Sequence, residues 1–148
     1  MFRKFRFIGF VLILPLIVFL TGCKITGWAP EYNETLDKQI QETAKANDRI
    51  YLELLNADKD ARGYFLFSNK YIDVQSEINS IELVIEGQKN NKDLLIMIHN
   101  VQTLFEKYMG EHKKAIKPLS DGEIKIYEQY MKDAWKPLYI AEKNLKSK

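Results

Sequence analysis

Residues 64–86 read YFLFSNKYIDVQSEINSIELVIE, with apolar side chains recurring at Tyr64, Phe67, Tyr71, Val74, Ile78, Ile81 and Ile85. The steps alternate between three and four residues. That is the a/d repeat of a helix packed against other helices. A strand would alternate at every second residue, and no part of the chain does so convincingly. Gly87 is a natural stop for this helix.

Upstream, Leu36, Ile40, Thr43, Asn47, Ile50 and Leu54 repeat the same steps. Pro30 suits the first turn of a helix, where its missing N–H is no loss. The spacing predicts a first helix over about 30–55, a break with capping residues at Asn56–Asp60, and a second helix over about 58–86. An alternative stays open, because the first seam extrapolates through Ala57, Ala61 and Tyr64. One long helix would then reach about Phe67 and turn at Ser68-Asn69. The earlier break yields helices of nearly equal length, which a bundle packs best.

Downstream, Asn90 or Asn91 caps a third helix over about 91–116, with its seam at Leu94, Ile98, Val101, Phe105 and Tyr108. Ser120 and Glu123 form an S-x-x-E capping box, with Leu119 and Ile124 at the staple positions. A fourth helix follows over about 121–146, on Ile124, Tyr127, Met131, Ala134, Leu138, Ala141 and Leu145. Pro137 lies inside it and predicts a kink near Asp133. The expected fold is all-α, an antiparallel up-down-up-down four-helix bundle spanning residues 30–148.

Residues 1–22 read differently. Arg3, Lys4 and Arg6 precede an uncharged run from Phe7 to Leu20, too short to span a bilayer as a helix. This is the pattern of an export signal. Its end, Leu20-Thr21-Gly22-Cys23, resembles the lipobox of bacterial lipoproteins. The resemblance implies that a peptidase reads Leu20, Thr21 and Gly22 and cuts before Cys23. It also implies a diacylglyceryl group on the Cys23 thiol and a further fatty chain, such as palmitate, on its amine. Residues 1–22 are then removed and 23–29 form a lipidated tether. Several acyl chains on one residue hold a protein at a membrane far longer than one does. The expected location is the cell envelope, facing the extracytoplasmic side. Lys24 follows the Cys, which implies sorting to the outer membrane if the host has one.

The remainder of the chain resembles a family of short helical-bundle lipoproteins with no assigned activity. The residues that carry this are Tyr32 and Asp37, Tyr71, Asn91, His112, and Leu138 with Glu142. At a place late in helix two where such families carry an Arg, this chain has Glu86 and Gly87.

Composition narrows the function classes. Three of the 22 basic residues lie in the leader, leaving 19 against 20 acids. No nucleic-acid partner is expected from that balance. Cys23 is the single cysteine, so no disulfide is expected and packing must hold the domain. His99 and His112 are thirteen residues apart and out of phase on one helix, which argues against a shared metal site. Asp58-Lys59-Asp60 starts like a calcium loop and fails at Arg62 and Asn69. Tyr64, Tyr71, Tyr108 and Tyr127 fall on seams, Thr43 and Asn47 place polar groups mid-seam, and Trp28 and Trp135 are candidates for headgroup or bundle-end contact.

Two functions fit this pattern. The first is an envelope lipoprotein, held to the membrane through its lipid, whose bundle binds an envelope protein or serves a structural role without catalysis. Leu95 and Met97 are its candidate contact residues on helix three. The alternative is an extracytoplasmic sensor or small-ligand-binding bundle using the seam tyrosines with Thr43 and Asn47. Neither requires a cofactor beyond the lipid on Cys23, and no constellation of catalytic residues points to an enzyme.

Overall fold

The computed structural model describes residues 29–147. The leader, the lipobox residues Leu20, Thr21, Gly22 and Cys23, and Trp28 lie outside the described residues. Four helices follow in order: α1 (Glu34–Asn56), α2 (Tyr64–Glu86), α3 (Lys92–Lys114) and α4 (Asp121–Lys146), with one 3-10 turn at Lys59–Ala61. Among the described residues there is no strand, and no helix is long and apolar enough to cross a membrane.

The chain is an all-α four-helix bundle. Each helix packs on its neighbours in sequence, and α4 returns to pack on α1. Side-chain contacts climb one helix as they descend the next. Glu53 meets Lys70 and Gln39 meets Ser80 between α1 and α2. Tyr71 meets His112 and Glu82 meets His99 between α2 and α3. Short connections force such antiparallel neighbours.

The turns decide the helix ends. The first helix begins at Glu34, not Pro30. Asn33 is extended, and its side chain accepts the Leu36 N–H at 3.1 Å, so it supplies the cap. The break between α1 and α2 falls early: Ala57 is extended and α2 starts after Gly63. Asn91 stands at the N-cap of α3, yet its amide points back and donates to the carbonyls of Ile85 and Glu86 at the end of α2. It satisfies two orphan acceptors there. Asn90 takes the left-handed conformation, φ 57°, that lets the chain reverse. Ser120 and Glu123 form the complete capping box of α4.

Every seam residue of α1 and α3 is buried, and Phe67 through Ile85 are buried on α2. The fourth seam departs from expectation. Ile124, Met131 and Leu138 are buried, but Trp135 and Glu142 join them instead of Ala134 and Ala141, which are half-buried. A strict heptad drifts about 20° per repeat around a straight helix. Residues eleven and eighteen positions past Ile124, about three and five whole turns, therefore face the core. Pro137 lies inside α4, which continues from Asp121 to Lys146.

Candidate functional site

Arg62 closes the end of the bundle formed by the α1–α2 and α3–α4 turns. It is 4% exposed, although the α1–α2 turn that carries it is at the surface. Its Nε donates to the Ala57 carbonyl at 3.1 Å, Nη2 to Leu55 at 3.2 Å, and Nη1 to Leu119 at 3.3 Å. Nη1 also pairs with Asp121 at 2.5 Å. The planar fork thus joins the end of α1 to the start of α4. The guanidinium holds the Asp121 carboxyl below the usual carboxylate range.

The Arg62 carbonyl continues this network into the core. His112 Nε2 lies 2.8 Å from it, so Nε2 carries the proton, and Nδ1 accepts from the Tyr71 hydroxyl at 2.9 Å. Tyr64 stacks on Tyr71 with ring centres 5.7 Å apart, and both rings meet the imidazole edge-on. Burial pushes the His112 pKa below 6.5, partly offset by the Arg62 carbonyl. The unfolded chain therefore binds the extra proton first. His112 stabilises the fold in full above about pH 6.5 and progressively less as the pH falls below it. Tyr71→Phe leaves Nδ1 without its donor, and an equilibrium denaturation curve is expected to show a loss of about 1–3 kcal/mol.

The opposite end carries a second buried cluster. Asp37 accepts from the Tyr32 hydroxyl at 3.0 Å and from the Gln41 amide at 2.9 Å. Glu142 lies beside Asp37, fully buried, and neither of its carboxyl oxygens has a well-formed hydrogen bond, although the Asn33 backbone N–H approaches. Burial first, and the Asp37 charge second, push its pKa up to about 7; the Asn33 backbone N–H offsets this only in part. Lys146 Nζ sits 5.5 Å from the centre of the Tyr32 ring, which places the C-terminal end of α4 beside the entry to α1. The residues Tyr32, Asp37 and Glu142 thus come together at one end, and Tyr71 and His112 at the other.

A cleft of about 450 Å³ opens between α1 and α4, lined by Ile40, Ala44, Asn47, Trp135, Lys136 and Tyr139 among others. Thr43 returns its hydroxyl to the Gln39 carbonyl at 2.8 Å, so its polar group is satisfied within α1. Asn47 is not: its Oδ1 is buried with no partner, as is the indole N–H of Trp135. Trp135 is 5% exposed in the middle of α4, so it is a core residue and not a bundle-end or headgroup contact.

Of the other candidates, Leu95 and Met97 are half-buried against the core. The exposed apolar row lies on α2 instead, at Phe65, Ile72 and Leu83, with Leu66 beside it. Phe65, Ile72 and Leu83 are spaced at about two and three whole turns, opposite the core-facing stripe of the same helix. Tyr108 stacks with Tyr127 at 4.4 Å and with exposed Tyr130 at 6.1 Å between ring centres, so the seam tyrosines Tyr108 and Tyr127 pack on each other. His99 pairs with Glu82 at 2.6 Å at the surface. Tyr51 and Trp135 escape a reading of buried polar groups because each lies outside its seam, and Arg62 because it lies in a turn that has none.

The class that fold and geometry define is an all-α four-helix bundle with a polar cluster buried at each end. Comparison of this chain with protein-family models, with curated proteins and with solved structures finds no match.

Proposed function

We propose that this chain is a lipid-anchored protein of the bacterial cell envelope, held by acylated Cys23, whose bundle docks an envelope protein along the outer face of α2 and performs no catalysis. The leader and its Leu20-Thr21-Gly22-Cys23 ending support the anchor. The observation that carries the docking role is the apolar row Phe65, Ile72 and Leu83, at 91, 60 and 68% exposure. A helix with its core stripe fully used gains nothing from a second apolar row unless something covers it. The three residues are spread along about 27 Å of helix, with exposed Ser76 and Asn79 between the last two, which fits a partner helix that meets α2 at separate points.

A photo-crosslinking residue placed at Phe65 or Ile72 tests both parts in cells. The expected result is one discrete adduct, absent when the probe replaces exposed Glu106 on α3, and absent with Cys23→Ser. An adduct from Glu106 alone moves the interface off α2. A Cys23 that mass spectrometry shows unmodified in membranes removes the anchor.

A further inference from the structure

We propose that the cleft between α1 and α4 is a binding site for a small amphipathic acid that contains a secondary amide, such as an N-acylated amino acid. This site is separate from the outer face of α2 and does not depend on what docks there.

Its volume of about 450 Å³ lies in the range of small-molecule pockets. Ala44 of α1 and Trp135 and Tyr139 of α4 line it. Two side chains that line it are almost wholly buried, Asn47 at 2% and Trp135 at 5% exposure. Each holds a polar atom with no partner: an acceptor, Asn47 Oδ1, and a donor, Trp135 Nε1–H. Buried orphans of this kind are costly to a fold, and a well-packed bundle replaces them with apolar side chains. Both atoms are screened from solvent, so the proposed ligand reaches them only as either side chain turns toward the cleft that it lines.

The chemistry of the orphans selects the ligand. A secondary amide donates through its N–H and accepts through its carbonyl on the opposite side, and unlike a primary amide it carries a substituent at each end, so it can join an apolar group to a charged one. Its N–H answers Asn47 Oδ1, and its carbonyl answers the Trp135 N–H. Ile40 and Ala44 give an apolar wall for an acyl or aryl group. The mouth is cationic. Lys132 is held by Asp48 at 3.1 Å and by Glu128 at 2.5 Å. Lys45 and Lys136 also line the cleft and form no ion pair among the described residues, which leaves them for a ligand carboxylate.

The test uses the full chain in lipid nanodiscs and N-benzoylglycine as probe. The readout is the Trp135 indole N–H signal, told apart from that of Trp28 by Trp28→Phe. Saturable movement of the Trp135 signal below millimolar probe is expected. Asn47→Leu replaces the acceptor with an apolar side chain of similar size at a seam position, so the bundle still folds. It is expected to weaken binding by about tenfold or more. N-benzoylsarcosine, which lacks the amide N–H, is expected to lose as much, and the methyl ester of the probe to bind more weakly than the acid. A Trp135 signal that stays fixed through millimolar probe overturns the proposal. So does binding that is undiminished in Asn47→Leu or by the sarcosine analogue.

Discussion

Glu142→Gln is expected to stabilise the bundle by about 3 kcal/mol above about pH 8, and to leave it nearly unchanged near pH 4. The side chain is fully buried, with no well-formed hydrogen bond to either oxygen and with Asp37 beside it. Its pKa rises from 4.5 in the unfolded reference to about 7 in the fold. Below 4.5 both states hold the proton, and Gln is a near-isosteric neutral replacement. Between 4.5 and about 7 the folded state keeps a proton that the unfolded chain has lost, so stability falls as the pH rises. Above that range the buried carboxylate carries the full cost, which the amide avoids. Denaturation curves from acid to alkaline pH check this. The wild type should lose stability across the window, and the variant should not. His112, at the other end, acts with the opposite sign below 6.5. The variant profile should therefore rise with pH and then level off. If the two curves run parallel, Glu142 is not protonated in the fold.

Arg62→Met is expected to cost about 3–5 kcal/mol, lowering the midpoint of thermal unfolding by about 10–20 °C. The loss is not that of one surface ion pair, although Asp121 is more than half exposed and its share is small. The greater part comes from the carbonyls of Leu55, Ala57 and Leu119, which lose charge-assisted donors where the turns cannot supply others. Arg62→Lys keeps the charge and loses the fork, so it should recover less than half of the loss. Asp121→Asn is the control, with a much smaller expected effect because its carboxylate is solvent-screened. Equal effects for Arg62→Met and Asp121→Asn would show that the ion pair, and not the carbonyls, holds this end.

Helix number, order and inner faces were legible because they rest on periodicity, which is local. Seams one and three needed no correction, and the capping box at Ser120 and Glu123 located the start of α4 to the residue. The start of α1 was misplaced because Pro30 and Asn33 are both good entry signals, and only the extended Asn33 backbone separates them. Glu142 and Trp135 were hidden by a heptad applied to a helix that keeps its straight-helix period. Asn47 was legible as a polar group mid-seam. That it lacks a partner was not, since partners arrive from other helices.

The sequence by itself determined a four-helix chain with short antiparallel connections, since each apolar stripe must be covered and the turns are too short for any other neighbour. Its first residues determined the expectation of a lipid at Cys23. Only the tertiary structure decided which polar groups meet and which stay alone: Arg62 with three carbonyls, His112 with Tyr71, Glu142 with Asp37, and Asn47 and Trp135 without partners beside a cleft. Burial and pairing are properties of atoms brought together from distant positions in the chain, and no local pattern encodes their distances.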